Sequence, residues 1–281
     1  MRVFRSLAFF ACIASVLALT AQAQEPKPEE IIAKHIESIG KKEVRDQVKT
    51  LFALGLSSFD SESPLIHGGG KGMVVSDPSN LMWAISLNSK DYPYEKIGVF
   101  RDKVSLPFIT AGQRSLLGVF LSEHPRVLTE GLYGGIMSLR WALFDEKKRA
   151  HIKSLGTKNV DGRKLYVLSY QPEGGGLDRF SIKLYFDAGT YQHVRSEYRR
   201  EFAPDQPKFG VANQTADSEI TLIEKFGDFK TVDGLTLPYT YAVEFASNAN
   251  SSTMKTTWGL RIGQYYINQQ LAEDFFTFDP K

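Results

Sequence analysis

The sequence predicts an α+β, mainly β fold: a strongly curved antiparallel sheet, in the form of an open or incomplete β-barrel, capped by an N-terminal helix and a short helical insertion. Three observations lead there. From Thr50 onward, short apolar stretches alternate with Gly, Pro, Asp and Asn, as strands alternate with turns. Ahead of them, one segment repeats apolar residues at helical spacing. Within the strand series, about residues 112–142, helical spacing returns but is interrupted by glycines. The connections are hairpin-sized and helices are scarce between strands, which argues for a meander rather than an α/β sheet.

The first element is a leader. Arg2 and Arg5 precede the apolar run Leu7–Leu19, and Ala21-Gln22-Ala23 gives small residues at a cleavage site. This is the pattern of a signal peptide, residues 1–23, cleaved after Ala23. The apolar run falls short of the roughly 20 residues of a membrane-spanning helix. Export to the periplasm follows as the expectation, with residues 24–281 as a single domain and no integral membrane segment in it.

Removal of the leader changes the chemistry of what remains. Cys12, the sole cysteine, lies within it. A disulfide, a thiolate metal site and a thiol nucleophile are then excluded from the mature chain. Arg2 and Arg5 leave as well, which brings the 34 basic residues of the full chain level with its 32 acidic ones. An even balance gives no electrostatic case for a nucleic-acid partner.

Glu29 to Ile39 reads as an amphipathic helix, with Ile31, Ile32, His35, Ile36 and Ile39 at helical spacing and Gly40 as its stop. Glu43 to Val48 reads as a further helical turn. Asp77-Pro78-Ser79-Asn80 is a tight turn that makes Gly72 to Leu87 a hairpin. Gly68 to Gly72 reads as a flexible connecting loop. In the insertion, Gln113 to Phe120, the stretch after Pro125, and Gly135 to Ala142 read as short helices. From His151 the strands resume: turns are expected at Asn159–Gly162, Ala188–Thr190 and Val232–Leu235, with a glycine-rich loop at Pro172–Asp178. In the segment His193–Arg199, period-two alternation places Val194 and Tyr198 on one face and His193, Arg195, Glu197 and Arg199 on the other.

Signatures of catalysis are missing. There is no G-x-S-x-G elbow, no H-E-x-x-H and no phosphate loop. The five histidines show no metal-binding spacing, so neither a metal nor another cofactor is expected. Acid pairs such as Glu123 with Glu130, or Asp217 with Glu219, carry no local mark that separates them from surface acids. What the strands do carry is apolar and aromatic bulk. A widely curved sheet encloses more space than its side chains fill, and helices laid over its mouth would make a lidded apolar pocket. The candidate lining comprises Met82, Trp83 and Phe100 early in the sheet and Leu116 and Phe120 in the insertion. Tyr166, Leu168, Leu184 and Phe186 follow, with Tyr241 and Phe245 near the end.

Several phrases taken in order resemble one family. They are Ile31 to Gly40, Asp161-Gly162-Arg163-Lys164-Leu165-Tyr166-Val167-Leu168, Leu184-Tyr185-Phe186-Asp187 with Val194-Arg195, Val232 to Pro238, and the closing Ile267 to Phe276. Together they resemble the LolA/LolB-like periplasmic lipoprotein carriers, and more closely the uncharacterised exported bacterial proteins placed beside them. The resemblance implies a half-pipe of strands capped by helices around an apolar cavity. It also implies a non-enzymatic carrier or binding protein for a lipid, a lipidated protein or another hydrophobic molecule. The insertion is longer and more glycine-interrupted than a plain carrier lid, so the resemblance speaks more to fold than to lipoprotein sorting. Two other readings stay open: an envelope structural or interaction protein that meets another envelope protein, and an enzyme of unrecognised type. The enzyme reading requires a polar cleft that gathers carboxylates, histidine or Arg101, Arg179 and Arg195.

Overall fold

The computed structural model describes residues 25–62, 65–149, 151–172, 180–202, 218–249, 252–272 and 274–276. The expected signal peptide and nearly all of the glycine-rich loop at 172–178 lie outside them. Helix α1 (Pro28–Ile39) begins with proline in its first turn beside Glu29 and Glu30, where the missing N–H costs nothing and negative charge meets the positive end of the helix dipole. It buries Ile31, Ile32, His35, Ile36 and Ile39. Gly40 ends it at φ 152°, a conformation that suits glycine, and bridges to Leu235. A single turn, α2 (Lys42–Arg45), follows.

Five strands come next: β1 (Leu51–Glu62), β2 (Leu65–Ser76), β3 (Asn80–Ser86), β4 (Tyr94–Phe100) and β5 (Lys103–Ser105). Residues 106–149 then hold three short helices, α3 (Leu116–Glu123), α4 (Arg126–Thr129) and α5 (Glu146–Arg149), with 3-10 turns at Gly135–Met137 and Ala142–Phe144. Seven further strands follow among the described residues: β6 (Ile152–Val160), β7 (Arg163–Tyr170), β8 (Phe180–Asp187), β9 (His193–Phe202), β10 (Ser218–Val232), β11 (Leu235–Ala249) and β12 (Ser252–Ile267). All twelve form one antiparallel sheet in the order β5-β4-β3-β2-β1-β12-β11-β10-β9-β8-β7-β6. The sheet is a meander broken once, where β1 pairs with β12. It does not close into a barrel: β5 and β6 remain its edges, and the 106–149 segment carries the chain from one edge to the other.

Three local expectations are corrected. Gly68–Gly72 is not a loop. It lies within β2, paired with Phe59 through Gly55 of β1. Glycine is needed there because the backbones crowd: a Cβ on Gly68, Gly69 or Gly70 would lie 2.8, 2.7 or 2.6 Å from the carbonyl oxygen of Leu87, Ser57 or Ser86. Gly135 to Ala142 is not a helix but two 3-10 turns separated by extended Ser138 and a turn at Leu139 and Arg140, since Gly134 and Gly135 both have positive φ. In β9 the alternation slips. The pairing runs from Tyr185↔Arg195 to Phe186↔His193, so Val194 is an extra, bulged residue. His193 therefore turns inward with Ser196 and Tyr198, while Val194 joins Leu165, Val167 and Tyr185 on the outer face.

The two faces differ in chemistry. The inner face of the sheet, α1 and the 106–149 segment share one continuous apolar core. On the outer face, ion pairs run across the strands, Lys183 to Glu197, Arg199 to Glu219 and Lys225 to Glu244, and Arg195 pairs with Glu197 along β9.

The junction between α1 and the β10–β11 turn has a measurable consequence. A Cβ on Gly40 would sit 2.5 Å from the Gly234 carbonyl oxygen, whereas one on Gly162, at φ 77°, meets nothing within 4 Å. Gly162→Ala is expected to cost only the backbone strain, about 1 kcal/mol. Gly40→Ala adds displacement of the turn and is expected to cost about 3 kcal/mol or more. Urea unfolding of the two variants compares them; equal losses would refute the tight junction.

Candidate functional site

Polar groups sit inside the core where the covering segment meets the sheet. The central one is Glu224 on β10, which is fully buried. Its cross-strand partners are Ser196 and Val243, so the inward residues two positions along, Tyr198 on β9 and Tyr241 on β11, flank it diagonally. Their hydroxyls donate to its two carboxylate oxygens at 2.7 and 2.6 Å. A third donor, the Gly134 N–H, comes from the covering segment at 2.7 Å. Burial pushes the Glu224 carboxyl up to about 7, against the hydrogen bonds that favour its charged form. Glu95 on β4 repeats the arrangement: it is buried, accepts from Tyr92, which in turn accepts from Trp258 Nε1 at 2.6 Å, and is likewise pushed up to about 7 by burial.

The third group joins α1 to β9. The Trp141 N–H, a donor only, reaches His35 Nε2 at 3.3 Å. Nε2 must then accept, which leaves the proton on Nδ1 to donate to the Tyr191 carbonyl at 3.0 Å. His35 is thus neutral, and burial lowers it to about 4. The His193 ring lies 6.1 Å away from it, centroid to centroid, with Trp141 and Phe226 packed against it and Ser196 Oγ at 3.1 Å from Nε2. Among the described residues no group of three or more His, Cys, Asp or Glu is placed to hold a metal ion.

The acids once available as a catalytic pair have other roles. Glu130 accepts from Tyr170 at 2.7 Å and Glu219 pairs with Arg199. Asp217 and Arg179 lie outside the described residues, and Arg195 faces outward onto Glu197.

The eleven candidate lining residues divide. Trp83, Phe120, Leu168, Leu184, Phe186, Tyr241 and Phe245 lie together in the main core and are packed. Leu116 and Tyr166 are half-buried at its margin. Met82 and Phe100 belong to a separate cluster on the opposite face, with Val75, Ala84 and Phe276. Met82 cannot share a cavity with Trp83, because neighbouring residues of a strand point to opposite faces.

Open space under the cover lies elsewhere. A cavity of about 230 Å³ opens between the end of α1, the 3-10 turns and the β10–β11 hairpin. Ile36, Ile39, Leu51, Ile136, Leu235 and Leu237 make its buried apolar floor, and Leu139 and Phe144 are half-exposed beside them. Arg45 and Arg149 stand in its wall. The sequence signalled part of this floor, through the apolar stripe of α1 and the Val232–Leu235 turn. It gave no sign that Arg45 and Arg149 would meet there, since they lie on opposite sides of the first five strands. A larger hollow of about 890 Å³, near the start of β1 and the 268–276 segment, is mostly polar and open.

No protein-family profile matches the sequence, and no curated protein does. Solved structures do. The chain is similar to a LolA superfamily protein, NE2245 from Nitrosomonas europaea, at 14% identity and a TM-score of 0.48, over 90% of this chain and 98% of that one. It is also similar to a DUF1329 family protein from Desulfovibrio piger, at 12% identity and a TM-score of 0.46, over 89% and 97%.

The buried carboxyl gives a pH signature of known sign. Glu224 binds its proton more tightly folded, about 7, than unfolded, 4.5. The stability it contributes is fully present below 4.5 and is lost as pH rises through 7. Glu224→Gln removes that dependence. Relative to the wild type, the variant is expected to gain about 3 kcal/mol between pH 4.5 and pH 8 in urea titrations. Parallel pH profiles for the two proteins would refute the assignment.

Proposed function

We propose that this protein is a periplasmic carrier or binding protein for a hydrophobic ligand: a lipid, a lipidated protein or another apolar molecule. The observation that supports it is the cavity beneath the helical cover, with its floor supplied by α1, β1 and β11 and one wall by the 106–149 segment. Binding there needs no covalent chemistry. Each Å² of apolar surface withdrawn from water contributes roughly 25 cal/mol.

At about 230 Å³ the cavity is smaller than the ~300–1,000 Å³ usual for small-molecule sites, so in its present form it accepts a chain end rather than a whole lipid. Lifting of the cover enlarges it toward Trp83, Phe120, Tyr241 and Phe245, which are packed against that cover now. Tyr133 of the cover touches Trp83 and Tyr241 edge-on, and Phe120 touches Phe245. Cleavage after Ala23 would deliver the protein to the compartment where such cargo needs shielding from water. Among the described residues no helix is long and apolar enough to cross a membrane.

The same packed aromatics support a second reading, an envelope interaction protein with a filled interior. Mass spectrometry of material extracted from the natively purified protein separates the two. The carrier reading expects a stoichiometric apolar ligand, and uptake of an apolar fluorescent probe by the delipidated protein. Leu139→Glu places a charge at the half-exposed edge of the cavity, where the fold tolerates it, and is expected to weaken probe binding at least tenfold. Absence of both ligand and uptake would favour the interaction reading.

A further inference from the structure

We infer that the ligand is a single-chain amphiphile with an anionic head, and that Arg45 and Arg149 are the residues that bind the head. This rests on the carrier reading and sharpens it. Arg45 ends α2 and Arg149 ends α5, so two segments far apart in sequence each bring one guanidinium to the same cavity wall. Both side chains are half-buried.

Each is anchored at one atom. Arg45 Nε donates to the Gly40 carbonyl at 2.9 Å, and Arg149 Nε donates to the Leu143 carbonyl at 2.7 Å. Those bonds fix the guanidinium groups in place. A guanidinium carries five N–H donors, and among the described residues the terminal nitrogens of neither arginine meet an acceptor. The nearest acid in the wall, Asp46, is paired with Lys42 instead.

A structural role explains the Nε bonds. Arg45 covers the carbonyl end of α1, and a cation there is favourable. It does not explain why two cations line one partly desolvated cavity whose one lining acid, Asp46, is paired with Lys42. Like charges in such a place repel, and an anion that enters relieves the repulsion and completes charge-assisted hydrogen bonds. Apart from Asp46, the rest of the lining is apolar and takes the chain. An apolar floor beside two fixed guanidiniums matches a carboxylate or phosphate monoester on a hydrocarbon tail, and mismatches an uncharged lipid of the same length.

The test uses the protein purified after expression of the full chain and then delipidated. The probe is a C16 fatty acid with a fluorophore near its tail. Its methyl ester is the second arm, and inorganic phosphate, as a competitor, is the third. The acid is expected to bind at least tenfold more tightly than the ester, and 10 mM phosphate to leave a bound acid in place. Arg45→Gln/Arg149→Gln is expected to bring the acid down to the affinity of the ester without changing the ester itself.

Equal binding of acid and ester by the wild type would overturn the inference and leave the carrier reading intact. Loss of both arms would sink the carrier reading. Full displacement by phosphate would show a plain anion site and overturn the amphiphile. If the double variant fails to fold, the wild-type comparison of acid with ester still decides.

Discussion

The pairing of β1 with β12 is the contact on which the architecture depends. It joins the first strand of the domain to the last, from Leu51↔Ile267 to Ser61↔Thr256. Without it the chain holds two separate meanders, β1–β5 and β6–β12, each with an unpaired long edge. With it they become one curved sheet, and the 106–149 segment, tied to opposite edges, has to cross its inner face. The pairing is also where geometry is tightest. At Gly55 the register skips Gly263, and a Cβ on Gly55 would stand 2.1 Å from the Arg261 carbonyl oxygen. Past the skip, inward residues of β12 change from Trp258, Leu260 and Ile262 to Tyr265. One bulge thus bends the central strand and re-aims its far end. Such a contact between distant parts of the chain carries a loop-closure cost that local hairpins do not, and it slows folding.

Once the sheet is curved, its cover is placed by polar anchors as well as apolar burial. Gly134 is held by Glu224, and Trp141 by His35, which in turn holds the Tyr191 carbonyl. Apolar packing alone is nearly indifferent to small slides of one layer over another. A hydrogen bond with a buried carboxylate is not, because a lost partner leaves the charge desolvated. The histidines and the buried acids also act in opposite senses with pH. His35 and His124 are lowered to about 4 and resist charging below neutrality, while Glu95 and Glu224 are raised to about 7 and resist charging above acid pH. Their slopes oppose one another between pH 4.5 and 6.5, so stability changes less across that range than any one group suggests.

Much of the fold was legible in the sequence because local signals and the final structure agree. The helix expected over Glu29–Ile39 is α1 to within a residue, since an apolar stripe, acidic first turn and glycine stop all point the same way. The turns at Asp77–Asn80, Asn159–Gly162 and Val232–Leu235 each join two neighbouring strands. What was not legible is non-local. Nothing near β1 announces β12. Glu224, between Ile223 and Lys225, has the neighbours of a surface acid; tyrosines on two other strands and the Gly134 N–H make its burial tolerable. Val194 looks inward until a one-residue bulge, set by its pairing with β8, turns it out. The candidate cavity failed to emerge for the same reason, since its two arginines are brought together by the cover and not by any motif.

The distribution of polar groups bears on how the cover can move. They lie at the seam between cover and sheet, not at random through the core. To part a purely apolar seam exposes hydrocarbon and recovers nothing. Here, parting the seam also returns the Glu224 carboxyl to water, and its desolvation cost is recovered at the moment the Gly134 hydrogen bond is lost. The two changes have opposite sign, so the free-energy difference between a closed and a lifted cover is smaller than the buried apolar area implies. The compensation grows as pH rises from 4.5 to 7, where the carboxyl is protonated in the closed seam and gives up its proton on release, and it levels off above 7. A seam of this composition closes in register, and release of its carboxyl offsets part of the cost of parting it, a combination that neither a wholly apolar seam nor a buried ion pair provides.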